Sequence, residues 1–191
     1  MPVVPGVTRC GACVRAHPPL DACLAAVTYQ YPWSALVLEF KFRERPAWAR
    51  SFATLLRSTP WVEPALEQAH LVLPMPLSAQ RLRQRGFNQA LELARQLAPG
   101  KTDHGLLLRI RDTPAQSALD RKQRLRNVLH AFAVEPLRAA ALAGTRVVLV
   151  DDVMTSGASL HAAAATLRSA GVSHITGIVL ARADLHPDDP A

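Results

Sequence analysis

Asp151 and Asp152 stand side by side, followed by Thr155, Ser156 and Ser159 set around Gly157 and Ala158. Hydroxyls and backbone N–H groups in a small turn can bind an anion, best where the turn opens a helix whose dipole presents its positive end. Carboxylates beside such a cradle would repel a phosphate unless they face another part of the ligand. A vicinal diol is such a part, because a carboxylate accepts hydrogen bonds from both hydroxyls. Cradle and acid pair at this spacing fit a ribose 5-phosphate.

A second cluster lies some seventy residues upstream, where Arg81, Arg83 and Arg85 follow Leu73-Pro74-Met75-Pro76 and the turn residues Leu77 to Gln80. A strand that stops at proline and opens into a basic loop is suited to a tightly held turn presenting amides and arginines to a pyrophosphate. Guanidinium forks match phosphate bidentately. From Arg81 to Arg126, eleven Arg or Lys stand against four acids, so this window carries the whole excess of a chain whose net charge is +7. Such a patch suits a polyanion, either a pyrophosphate or a nucleic-acid backbone. The plainer alternative is a solvated basic helix face.

The elements that must position these groups follow from the patterning. Val147-Val148-Leu149-Val150 is an unbroken apolar run with three β-branched residues, which predicts a buried strand of a parallel sheet with both acids at its end. A helix is expected from Leu160 to Ala170, then a stop at Gly171 and a last strand over 175–182. His70 to Pro76 reads as another buried strand, and 87–97 as a helix ended by Pro99-Gly100. A short strand is expected at 105–111, a polar, proline-containing flap at 112–120, and a helix over 121–128 capped by Asp120. His130 to Val134 is expected to return across the sheet, and 135–145 to form an Ala-rich connection. Between Tyr31 and Ser58 the apolar spacing predicts helix interrupted near Arg45-Pro46. Lys41 and Arg43, between its arms, are either ordinary surface charges or groups facing the ligand from a hood above the sheet. The fold class is α/β: a mostly parallel twisted sheet flanked by helices.

Rival motifs fit less well. A Walker A loop needs a Lys after its last Gly, and a dinucleotide fingerprint needs three spaced glycines; this turn has one Gly and no Lys. A receiver-type acidic pair sits near the start of its domain, with several strand–helix units still to come. A dehalogenase-type phosphatase wants a third acid where Val153 stands. A buried strand followed by two solvated turn aspartates is the reading without a ligand.

With 191 residues and 49% apolar content the chain has room for one sizeable domain with a small appendage. No apolar run approaches the ~18 residues that span a bilayer, and no secretion leader opens the chain, so a soluble, cytoplasmic protein is expected. Cys10-Gly11-Ala12-Cys13 has the spacing of half a zinc knuckle, with Cys23 the one other cysteine. A structural zinc wants four ligands, so Cys10 and Cys13, even with His17, are weak candidates and zinc is not expected in this chain.

The acid pair and its turn resemble the phosphoribosyl-pyrophosphate (PRPP) signature of type I phosphoribosyltransferases. Taken with Leu73 to Leu77, the Arg85-Gly86-Phe87-Asn88-Gln89-Ala90 block, Arg111, Thr113, Gln116, Arg121, Arg124, Asn127 and Ala131-Phe132, the chain resembles the ComF family from about residue 10 to residue 182. That resemblance implies a type I phosphoribosyltransferase-like domain over 31–182, a partial zinc-knuckle-like segment over 1–30 in place of two Cys-x-x-Cys pairs, and a loose tail at 183–191. It implies PRPP with its 5-phosphate on Thr155, Ser156, Gly157, Ala158 and Ser159, its ribose diol on Asp151 and Asp152, and its pyrophosphate toward Ser78, Arg81 and Arg85. Mg²⁺ would be held largely by the ligand's own oxygens and water, and the flap from Arg109 to Arg121 would exclude water. Asp151, Asp152, Arg81 and Arg85 are thus the candidate catalytic residues for phosphoribosyl transfer with release of pyrophosphate. Some relatives carry an acid where Thr155 stands, and threonine takes up no proton at neutral pH, which leaves the general base unassigned. The family's link to natural competence implies the alternative of a non-catalytic PRPP sensor or a single-stranded-DNA-associated protein beside a competence helicase. Family analogy also implies a homodimer. Cys23 is expected in the core.

Overall fold

The computed structural model describes residues 18–42, 47–111 and 130–183. Its centre is a four-stranded, all-parallel sheet in the order β1-β6-β5-β2. These strands are β1 (Ala22–Thr28), β2 (Leu71–Pro74), β5 (Arg146–Met154) and β6 (His174–Arg182). The α/β class is as expected, and its reason is visible in β5 and β6, whose interior positions are buried almost without break. Strands covered on both faces need apolar side chains at odd and even positions alike.

Helices form the two covering layers. On one face lie α1 (Trp33–Phe42), α2 (Trp48–Arg57), α3 (Val62–Gln68) and α5 (Gln89–Leu97), packed on Val72, Val148, Val150, Ile178 and Leu180. On the other, α6 (Ala158–Ser169) packs with Leu73, Val147, Leu149, Ile175 and Val179. The break predicted near Arg45-Pro46 falls at residues 43–46, which lie outside the described residues, between the end of α1 and the start of α2. Fully buried Phe40 holds α1 down, its ring edge-on to Phe52 at 5.4 Å and 5.9 Å from Phe87. Truncating such a side chain costs about 3–5 kcal/mol.

Four expectations change. The strand predicted to end before the acids runs on through Asp151 and Asp152 to Met154. Its ladder with β6 continues through Val153↔Ala181 and Met154↔Arg182, and Val153 and Met154 bring further apolar surface into the core. The basic stretch after Pro76 is a helix, α4 (Ala79–Arg85), rather than a loop: the Ser78 hydroxyl accepts the Arg81 N–H at its start, and Gly86 closes it at φ 77°. Residues 132–134 (β4) do not join the main sheet. They pair antiparallel with β3 (Leu107–Arg109) in a two-stranded ribbon, because the outer edge of β2 is taken by residues 101–103, bonded at both sides of Val72. Finally, β1 comes from the stretch read as the N-terminal segment. Cys23, on β1, is half-buried and packs against the core as expected, with its thiol 3.4 Å from the Met154 sulfur.

Cys10, Cys13 and His17, the flap over 112–120 and the helix expected over 121–128 lie outside the described residues. Residues 136–142 form a short 3₁₀ turn in the Ala-rich connection.

A crevice at the end of β2 and β5

The chain leaves β2 toward α5 on one face of the sheet, and leaves β5 toward α6 on the other. Where adjacent parallel strands send their following segments to opposite faces, a crevice opens at their carboxyl ends, which is where ligands bind in open α/β sheets. Here it is a cleft of about 260 Å³, lined by Asp151 to Leu160, Arg81, Arg85, Lys41, Gln89, Tyr29 and Arg109 among others.

The floor is the turn from Thr155 to Ser159. Gly157 holds φ at 77°, a conformation that L side chains rarely adopt, and a Cβ there would also make the Met154 methyl, at 2.5 Å, and the His161 ring, at 3.2 Å, shift aside. The Ser156 hydroxyl accepts the Ala158 N–H at 3.4 Å. The first turn of the twelve-residue α6 begins directly at Ala158, and its leading N–H groups have no carbonyl within the helix to bond. Thr155 is exposed, and Ser156 and Ser159 are half-buried at the rim. A helix start beside small residues and hydroxyls is the kind of geometry that favours a bound anion.

The acid pair stands beside it. Asp152, 8% exposed, carries a Lys41 ammonium at 3.1 Å on its Oδ1. Asp151 accepts the Asp152 N–H on its own carboxylate at 2.9 Å. Burial, and then the neighbouring Asp152 charge, push Asp151 up to about 7, against the pull of that N–H bond, Lys41 and Arg85. A carboxyl held near neutral beside a second acid can exchange hydrogen bonds with neutral hydroxyls and is poorly suited to face a phosphate.

The opposite wall is cationic. Arg81 and Arg85 are four apart on α4, hence on one face, and both are half-buried in the cleft, while Arg83 points to solvent. Burial lowers Arg85, and the charge of Asp152 opposes that fall. Its guanidinium donates to Gln89 Oε1 at 3.0 Å.

The structure thus brings Asp151, Asp152, Thr155, Ser156, Gly157, Ala158, Ser159, Arg81 and Arg85 to one cleft. Ser78 it does not: that hydroxyl is buried at the start of α4 and caps the helix. Lys41 faces the cleft, as the hood reading expected, whereas Arg43 lies outside the described residues. Sequence reasoning did not single out Tyr29 or Gln89. Tyr29 carries no local signal, but Gln89 had one: a polar residue among apolar neighbours on the inner face of an amphipathic helix. Among the described residues no group of three or more His, Cys, Asp or Glu is placed to hold a metal, and no helix is long and apolar enough to cross a membrane.

Fold and cleft define a phosphoribosyl transferase domain, and the family model of that description matches residues 83–189, more than half of the chain. The chain is 32% identical over 181 residues to Competence protein F of Haemophilus influenzae, covering 92% of this chain and 79% of that protein. To DNA utilization protein YhgH of Salmonella typhimurium it is 31% identical over 177 residues, 87% of this chain and 74% of the relative. To Competence protein ComFC of Bacillus subtilis it is 32% identical over 154 residues, 78% of this chain and 60% of the relative. The chain belongs to the ComF family.

Proposed function

We propose that the cleft binds PRPP and transfers its phosphoribosyl group to an acceptor, releasing pyrophosphate. The observation that carries this reading is the convergence of three complementary parts on one small volume: the 155–159 cradle, the Asp151–Asp152 pair and the Arg81–Arg85 face. Each meets a different part of the ligand: 5-phosphate, ribose diol and pyrophosphate. Displacement at the anomeric carbon builds positive charge on the ribose and negative charge on the leaving pyrophosphate. The carboxylates favour the first and the arginines the second, in a cleft where water screens them less than in bulk.

Mg²⁺ fits this donor set as a companion of the ligand. The chain offers only hard carboxylate oxygens here, Asp151 and Asp152, too few for an all-protein cage and suited to an ion that keeps its waters and phosphate oxygens. When bound, it supplies neutralisation of the pyrophosphate charge. Calorimetry with PRPP and Mg²⁺ tests the reading: wild type binds, and the Asp151→Ala/Asp152→Ala double variant loses about 100-fold or more in affinity, the scale of two or three charge-assisted bonds. Absence of binding, or equal binding by the two, rejects it.

A second reading is favoured by the printed names of the relatives, which speak of competence and DNA utilization, together with the +7 window from Arg81 to Arg126. In that reading the chain binds PRPP or single-stranded DNA without turnover, in the company of a DNA-translocating partner. Titration with single-stranded DNA across salt concentrations separates the two: affinity that falls steeply with salt supports it, and weak, salt-independent association counts against it.

A further inference from the structure

The Arg85-to-Ala90 block joins α4 to α5, and its side chains tie these helices to α1 and to the end of β2. Gly86 closes α4 in the left-handed region. Phe87 packs its ring 5.9 Å from Phe40 on α1. Asn88 accepts the Ala90 and Leu91 N–H groups on one arm of its amide and donates to the Met75 carbonyl at 3.1 Å with the other. Gln89, 1% exposed, also spends both arms: Oε1 accepts from the Arg85 guanidinium at 3.0 Å, and Nε2 donates to the Lys41 carbonyl at 3.3 Å.

One buried amide therefore ties together the two elements that bring Arg85 and Lys41 to the acid pair. Buried side-chain amides with both ends bonded rigidify what they join, and they are costly if one partner is lost. Lys41 itself is committed to Asp152 at 3.1 Å, with both side chains largely out of water. An ion pair so placed contributes little net stability, since desolvation offsets the attraction. It does hold an ammonium at the edge of the ribose site, on an acid whose oxygens a diol would claim.

Resting on the PRPP reading above, we infer that Lys41 is a third cation of the pyrophosphate half-site, which leaves Asp152 for the ligand when the ribose arrives. Gln89 is its positioning residue, setting Lys41 and Arg85 at a fixed separation. The ammonium exchanges one carboxylate for a more highly charged group, and Asp152 gains the ribose hydroxyls in return. Hydrogen bonds from neutral hydroxyls then replace the ammonium on Asp152, while Lys41 keeps an anionic partner throughout.

The test compares PRPP with ribose 5-phosphate, which lacks the pyrophosphate, on the full chain with Mg²⁺, using Lys41→Met, Lys41→Arg and Gln89→Leu, each checked by thermal melting. Lys41→Met is expected to weaken PRPP about tenfold or more, the worth of one charge-assisted bond, while ribose 5-phosphate changes less than about twofold. Lys41→Arg recovers most of the loss, and Gln89→Leu reproduces it in part. Should Gln89→Leu not fold, the two Lys41 variants decide alone. Equal losses for both ligands, or no loss for either, would overturn the role of Lys41 and leave the PRPP reading standing. A wild-type protein that binds neither ligand overturns both.

Discussion

The half of the cleft formed by the acid pair and the 155–159 turn comes from one unbroken stretch, the end of β5 through the first turn of α6, whereas the basic half is gathered from α1, α4 and α5. In the first, the backbone does the positioning: a strand in mid-sheet, a glycine at positive φ and a helix start leave little for distant residues to decide. In the second, nothing works without tertiary contacts. Arg85 and Lys41 are 44 positions apart and meet through Gln89, Phe40 and Phe87. One half-site is therefore written in local sequence, and the other is a property of how three helices dock.

That contrast can be broken by variants in each half. The largest effect is expected from Arg81→Gln/Arg85→Gln, which should weaken inorganic pyrophosphate about 100-fold while ribose 5-phosphate changes within about twofold, read by calorimetry. Equal losses would mean that the halves are not separate. Gly157→Ala attacks the other side: the positive φ should cost about 1–3 kcal/mol of stability and lose ribose 5-phosphate binding before pyrophosphate binding. Asn88→Ala removes a helix cap and the tie to Met75, and a loss of about 1–2 kcal/mol is expected by chemical denaturation, with pyrophosphate affected more than ribose 5-phosphate.

The smallest effect concerns pH. Asp151 sits at about 7, so between its ordinary range and that value the folded protein keeps a proton that the unfolded chain gives up. Stability from this group is fully present at low pH and lost as pH rises through 7. Asp151→Asn escapes that loss, so its melting temperature relative to wild type should climb by a few degrees between pH 5 and pH 8. A difference that is flat across this range would contradict the burial argument.

The same contrast explains how much was legible beforehand. Val147 to Ser159 shows a buried parallel strand, an acid pair and a tight turn into a helix, because each rests on neighbours in sequence: the apolar run, the small residues and the helix that follows. The fold class followed from strands of this kind alternating with amphipathic helices. Legibility failed where a pattern was short or depended on partners elsewhere. Seven residues rich in arginine looked like a loop, although Ser78 and Gly86 are an N-cap and a C-cap at the spacing of a two-turn helix. Ser78 reads as a ligand contact in sequence, because a hydroxyl beside arginines looks the same whether it caps or binds. The antiparallel ribbon escaped because whether an edge is free depends on residues 101–103 covering β2, which no periodicity reveals. Lys41 was one charge among many until α1 docked and set it on Asp152.

The central claim is that two half-sites of opposite character share one cleft and one ligand. Calorimetry of the full chain with ribose 5-phosphate, inorganic pyrophosphate and PRPP, each with Mg²⁺, tests it most directly. PRPP is expected to bind more tightly than either fragment by about two orders of magnitude, as linking two subsites allows, and to displace both. Fragments that bind but are not displaced by PRPP, or a chain that ignores PRPP altogether, would contradict it.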